Sequence, residues 1–187
     1  MLKRLFDVAV ALAGLAVSWP VLLVIAGIVR LESPGPAIHW SRRVGRDNQL
    51  FDMPKFRTMR IDTPDVATHL LDNPEQWLTR PGRGLRRTSL DELPQLWSVL
   101  FGQMSLVGPR PALFNQDDLV ALRTEAGVHR LRPGLTGWAQ VNGRDELPIP
   151  EKVELDAAYL QQGSFLFDLR ILALTAWAAF TGRDVRH

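Results

Sequence analysis

The sequence predicts a mostly helical α+β protein attached to a membrane, and three observations carry that expectation. Residues 8–29 form one uncharged apolar run, about the roughly 20 residues a helix needs to cross hydrocarbon. Several later stretches space their apolar residues as a helix does, and a single pair of short stretches reads as a β-hairpin. The chain of 187 residues has no internal repeat or low-complexity tract and suits one compact unit.

The N-terminal run follows a basic start, Lys3 and Arg4. It exceeds a signal peptide's usual apolar region and lacks a clear small-residue cleavage site, so a retained membrane element is expected. Ser18-Trp19-Pro20 sits near its middle. Proline there lacks an N–H and crowds the carbonyl of Ala16, and the Ser18 hydroxyl is a candidate donor to the carbonyls so freed. Tryptophan favours the interface, which makes Trp19 unusual at mid-segment, and cations at both ends (Lys3 and Arg4, then Arg30) set no orientation. Two structures fit: a kinked single-pass helix, the commoner one, or a helix that enters, breaks at Pro20 and returns to the same face.

Ser33-Pro34-Gly35-Pro36 interrupts the chain. Residues 37–40 and 50–53, around Gly45-Arg46-Asp47-Asn48, form the expected hairpin. Residues 62–77, with Pro64 and Pro74, read as a loop with a short helix. Helices are expected at 93–101, stopped by Gly102, at 116–131, ended by Pro133, and at 149–162. The helix expected at 164–181 places Phe165, Leu169, Leu172, Ala176 and Phe180 on one face and is apolar nearly all round, which suits a membrane interface or, more commonly, a core.

The net charge is +2, with arginines clustered at Arg42, Arg43 and Arg46 and at Arg80, Arg83, Arg86 and Arg87. Such patches suit anionic headgroups or nucleotide phosphates, although solvated surface explains most single arginines. No basic stretch is interleaved with aromatics, so nucleic acid is not an expected partner. The sequence has no cysteine, which excludes disulfides and thiolate metal sites. His39, His69, His129 and His187 lack paired ligand spacing.

Two polar clusters are wedged into apolar sequence. The first is Ser89-Leu90-Asp91-Glu92-Leu93-Pro94-Gln95-Leu96, followed by Gly108-Pro109-Arg110-Pro111, and the second runs from Arg132 to Arg144. Carboxylates beside a helix start, with arginines on stiffened loops, are what a metal-assisted diphosphate reaction needs. Asp91 and Glu92 would diverge by about 100° on a helix. The commoner role for them is capping: Ser89 with Glu92 fits a capping box, or Asp91 is the N-cap with Pro94 in the first turn. Arg110 between two prolines is a pre-positioned guanidinium for phosphate, or else for a carboxylate. Arg132 and Arg144 bracket a glycine-rich stretch in which Asn142-Gly143 reads as a turn.

The ordered motifs are Lys3-Arg4-Leu5-Phe6-Asp7, Lys55-Phe56-Arg57-Thr58-Met59, Leu90-Asp91-Glu92-Leu93, Val107-Gly108-Pro109-Arg110-Pro111, Arg132-Pro133-Gly134 through Arg144, and Glu154-Leu155-Asp156. On these the chain resembles the bacterial sugar transferase family, the monotopic polyprenol-phosphate phosphoglycosyl transferases, in its small Campylobacter-type form. The resemblance implies a re-entrant helix over 1–32, broken at Ser18 and Pro20, although Trp19 stands where the family often has serine. It implies a catalytic domain over 33–187 that forms one unit with this helix on the cytoplasmic face of the bacterial inner membrane, with interfacial amphipathic helices. Asp91 would be the nucleophile that takes sugar-1-phosphate from a UDP-sugar, expels UMP and passes the phospho-sugar to polyprenol (undecaprenyl) phosphate. Glu92 would hold Mg²⁺. Arg110 and Arg144 would neutralise phosphate charge, with Lys55, Arg132 and, more weakly, Asp156 around the substrate. The rival readings are a membrane-anchored lipid-binding scaffold without catalysis, and a single-step glycosyltransferase that releases UDP.

Overall fold

The structure, a computed structural model, describes residues 1–64, 73–143 and 147–181. Arg144, His69, His187 and the middle of the 62–77 loop therefore lie outside the described residues.

Helix α1 spans Leu2–Glu32. Asp7, Ala11, Leu15, Ile25 and Val29 are buried on it and Leu22 half-buried; three- and four-residue spacing puts them on one stripe. Leu12, Val17, Trp19, Leu23, Val24 and Leu31 point outward and are exposed. By length and composition the helix could cross a membrane: an 18-residue stretch of it has a mean hydropathy of 2.5, and little of that stretch is buried. The buried stripe packs on the rest of the protein along the helix's whole length. Ala11 and Leu15 join the main core with Leu96, Val99, Met104, Tyr159 and Ile171. Ile25 and Val29 join Phe56 and Leu85 in a second cluster, and Leu22 touches both.

Polar contacts fasten both ends of α1. Lys3 Nζ donates to Asp168 at 2.6 Å and to the Val107 carbonyl at 3.0 Å. Arg4 donates to the Val99 and Leu100 carbonyls at 2.6 and 2.7 Å, where a cation meets the negative end of a helix. Asp7 accepts from Ser105 Oγ and the Leu106 N–H at 2.8 and 3.1 Å. Beyond the other end, Arg57 donates to the Ser33 and Pro34 carbonyls. Pro20 lies inside α1, whose backbone remains helical from Leu2 to Glu32. The Ser18 hydroxyl is buried without a hydrogen-bond partner, so the donor role expected of it is not taken up.

Strands β1 (Ile38–Val44) and β2 (Leu50–Phe56) pair antiparallel from Ile38↔Phe56 to Val44↔Leu50, each longer than the sequence suggested. Asp47 and Asn48 turn the hairpin at φ 55° and 59°, the left-handed region that these two residue types tolerate. Helix α2 (Arg80–Thr88) is capped by Thr79 Oγ1, which accepts from the Gly82 N–H. Ser89, at φ 54°, reverses the chain into a 3₁₀ turn (Leu90–Gln95) that runs on into α3 (Leu96–Phe101).

A short parallel pair follows, β3 (Ser105–Val107) with β4 (Gly134–Thr136). Backbones here approach so closely that a Cβ on Gly134 would collide with the Gly108 backbone nitrogen. The remaining helices are α4 (Asp117–Glu125), α5 (Trp138–Val141), α6 (Ile149–Gln162) and α7 (Phe165–Thr181). The helix expected to reach 131 stops at Glu125, because Gly127 takes φ 75° and leads into a separate 3₁₀ turn. On α7, Asp168 and Ile171 are buried while Leu166 and Trp177 are exposed, so one side serves the core and another faces out.

Candidate active site

Asp91 sits in the 3₁₀ turn between α2 and α3, at the meeting point of α2, β2 and α1. The capping roles considered from the sequence are not adopted. Ser89 makes no side-chain cap, and Asp91 and Pro94 both lie within the turn. The left-handed Ser89 directs its carbonyl to the Glu92 N–H at 3.2 Å, and no side chain caps the turn. Asp91 is 7% exposed. The Glu92 side chain is 28% exposed and accepts from Arg110 Nη2 at 3.2 Å.

Three elements bring cations to this pair. β2 delivers Lys55, α2 delivers Arg86, and the loop after β3 delivers Arg110. Arg86 Nε donates to Thr58 Oγ1 at 3.0 Å. Burial, then the neighbouring Glu92 charge, pushes the Asp91 carboxyl above its ordinary range, with Lys55 and Arg86 opposing. Burial, then Arg43 and Arg86, brings Lys55 down to about 8, against the pull of Asp91 and Glu92. Burial likewise lowers Arg86, opposed by the two carboxylates. A desolvated, more basic carboxylate facing fixed positive charge can act as a nucleophile toward an electrophilic phosphorus whose oxygens those cations neutralise.

The Arg110 loop is tied at three successive carbonyls. Pro109 accepts from the Gly134 N–H at 2.9 Å, Arg110 from Arg123 Nη1 at 2.8 Å and Pro111 from Arg43 Nη1 at 3.1 Å. Arg123 is itself held by Asp156, whose Oδ2 accepts from Nε and Nη2 at 2.9 and 2.6 Å. Asp156 is 1% exposed; burial raises its carboxyl, and Arg123 opposes that. In this structure Asp156 thus connects to the site through Arg123 and the Arg110 backbone. Arg132 is exposed at the entry to β4, with its carbonyl against Gly108. Sequence reasoning did not place Arg86, Arg43 or Arg123 in the site. The available signal was the arginine run that ends just before Asp91.

Among the described residues no group of three or more His, Cys, Asp or Glu side chains could hold a metal ion. Mg²⁺ needs less, commonly one or two carboxylates with substrate phosphates and water. The partly exposed Glu92, a hard oxygen donor beside the cation cluster, fits that requirement.

A long apolar helix is thus fastened to a small α+β body, with an acidic pair beside lysine and arginine. The chain belongs to the bacterial sugar transferase family, whose model matches residues 1–182. It is similar to the uncharacterized sugar transferase EpsL of Bacillus subtilis, with 44% identity over 189 residues, covering 100% of this chain and 91% of that protein. It is 36% identical over 197 residues to the exopolysaccharide production protein ExoY of Sinorhizobium fredii, covering 97% and 86%. It is also 41% identical over 191 residues to the UDP-glucose:undecaprenyl-phosphate glucose-1-phosphate transferase of Escherichia coli, covering 98% of this chain but 41% of that longer protein.

Proposed function

We propose that this protein is a phosphoglycosyl transferase that moves a sugar-1-phosphate from a UDP-sugar to undecaprenyl phosphate, the first membrane step in assembling a glycoconjugate such as an exopolysaccharide. The observation that carries the reading is Asp91: a buried carboxylate, unused for capping, set among Lys55, Arg86, Arg110 and Glu92. Its oxygen attacks the β-phosphorus of the donor. The bond from that phosphorus to the bridging oxygen breaks, and UMP leaves with the electron pair. An oxygen of the acceptor phosphate then attacks the same phosphorus, the bond to Asp91 breaks, and the carboxylate is restored. Arg110, Arg86 and Lys55 hold the diphosphate and its developing charge, and Arg132 and Arg144 complete the phosphate-binding set. Mg²⁺ bound by Glu92 would neutralise charge on the diphosphate oxygens.

The packing of α1 supports a monotopic placement. A helix crossing the bilayer would carry the body packed along its stripe into hydrocarbon, where the body's backbone edges and charges are costly. A helix lying in one leaflet keeps its outward apolar face in lipid and the body at the surface. Both ends of α1 then belong to the same side, which the resemblance assigns to the cytoplasm.

The test is nucleotide release with a panel of UDP-sugars, starting from UDP-glucose. Expected is UMP, stoichiometric with protein in the absence of lipid and catalytic with undecaprenyl phosphate, and a phospho-sugar adduct on Asp91 by mass spectrometry. Asp91→Asn should abolish all three. UDP as product, an adduct elsewhere, or lipid binding without nucleotide release would overturn the reading.

A further inference from the structure

The start of α1 grips the strand that leads into the Arg110 loop. Asp7 accepts from Ser105 Oγ at 2.8 Å and from the Leu106 N–H at 3.1 Å, and Lys3 Nζ donates to the Val107 carbonyl at 3.0 Å. Lys3 and Asp7 stand four residues apart, on one face of the helix, so together they hold all three residues of β3.

Lys3 is fixed in turn by two other helices. It meets Asp168 of α7 at 2.6 Å and the Tyr159 hydroxyl of α6 at 3.3 Å, and that hydroxyl donates to Asp168 Oδ1 at 2.5 Å. Burial, then the Asp168 carboxylate, holds the Tyr159 hydroxyl well above its ordinary range, so it keeps the proton it donates. Tyr159 and Asp168 are both buried. Stability alone does not call for such a cluster, because apolar replacement of buried ionic groups is often neutral or stabilising. What a paired polar network adds is a single fixed geometry, and this one closes on the Val107 carbonyl.

Little slack separates that carbonyl from Arg110. The Gly108 N–H donates to the Thr136 carbonyl at 2.8 Å, and the Pro109 carbonyl accepts from the Gly134 N–H at 2.9 Å. A Cβ on Gly108 would strike the Arg132 carbonyl, and Pro109 fixes its own φ. A shift of β3 is therefore passed on to Arg110, whose Nη2 meets Glu92 at 3.2 Å.

We propose that Lys3 is a positioning residue for Arg110: seated by Asp168 and Tyr159, it fixes the end of β3 and thereby the guanidinium that holds the donor diphosphate. The inference rests on the transferase reading above. Lys3 acts through the loop and touches no substrate.

The test uses the full chain in nanodiscs and the Kd for UDP by calorimetry, which needs no turnover. Lys3→Met should weaken UDP about tenfold, the loss expected when a charge-assisted hydrogen bond to phosphate is misplaced. In an Arg110→Met background the same change should cost less than about twofold, because the two residues act as one unit. Arg4→Met also loosens the start of α1 but frees α3 instead of β3, and should leave the Kd at the wild-type value. An unchanged Kd in Lys3→Met, an equal loss in Arg4→Met, or a loss that persists in full without Arg110 overturns the proposal. Should Lys3→Met fail to fold, Tyr159→Phe decides: removing the hydroxyl should weaken UDP about threefold, and again not in the Arg110→Met background. No loss, or one that persists there, overturns it too. Failure of the transferase reading looks different: wild-type protein would then give no UMP with any donor, and the inference would fall with it.

Discussion

Removing the charge of Asp156 should damage stability and donor binding together. Its Oδ2 accepts two hydrogen bonds from Arg123, at 2.6 and 2.9 Å, and the side chains are 1% and 10% exposed. Asp156→Asn keeps the shape and strands a guanidinium in a nearly dry site. Breaking a buried pair on one side costs about 3–5 kcal/mol. Burial already penalises the carboxylate here, so the lower end, about 3 kcal/mol, is expected. For a chain of this size that lowers Tm by about 6–12 °C, read by thermal unfolding in nanodiscs. The same Arg123 donates to the Arg110 carbonyl, so loosening it should raise the donor KM in the UMP-release assay. A double variant, Arg123→Met with Asp156→Leu, separates the effects: apolar replacement of a buried pair commonly restores stability, yet the Arg110 carbonyl would still lack its donor. If the double variant recovers both Tm and donor KM, the pair does not position Arg110; if Asp156→Asn unfolds like wild type, the energetic reasoning fails.

Lys55, lowered to about 8, loses its charge as pH rises through that value, so donor binding should fall above about pH 8. Lys55→Arg should shift that fall upward in a pH–KM profile. The unfolded lysine keeps its proton to about 10.4, so between these values the unfolded state binds more protons and stability should rise with pH there; a flat unfolding profile from pH 8 to 10 would refute the shift. Gly134→Ala should cost both fold and activity, since its Cβ would strike the Gly108 backbone, and a wild-type melting curve would show the approach to be looser. Ser18→Ala should be neutral or stabilising by about 1 kcal/mol, because the buried hydroxyl has no partner to lose. A clear loss of Tm would mean that the hydroxyl is engaged.

Much of the fold was legible because long periodic segments carry their own signal. The helices at Ile149–Gln162 and Phe165–Thr181 and the hairpin around Asp47 and Asn48 fall where apolar spacing and turn residues put them. What failed was short or tertiary. Ser89 looked like a cap, but φ 54° turns its carbonyl rather than its hydroxyl to the next turn. The arginine-rich α2 has too few apolar residues to announce a helix, and the β3–β4 pair is too short to show a period. Glu92 and Arg110 were both singled out, and the fold brings them to 3.2 Å. That Lys55 and Arg86 converge on Asp91 depends on how β2 and α2 pack, which no local pattern encodes.

The packing of α1 accounts for that convergence. Ile25 and Val29 seat Phe56, next to Lys55 on β2, and Leu85, next to Arg86 on α2. Ala11 and Leu15 seat Leu96, at the end of the turn that carries Asp91. One stripe of the apolar helix therefore aligns three elements that hold the acidic pair and its cations, while the opposite stripe stays exposed. On the transferase reading this couples depth to chemistry: a lipid-facing helix that also forms the floor beneath the nucleophile fixes how far Asp91 stands from the hydrocarbon, and so whether a phosphate on a buried chain can reach it. A polar residue on the outward stripe, such as Leu23→Lys, should then leave donor-only UMP release intact while slowing transfer to undecaprenyl phosphate in nanodiscs. If both half-reactions fell equally, α1 would be supporting the fold alone.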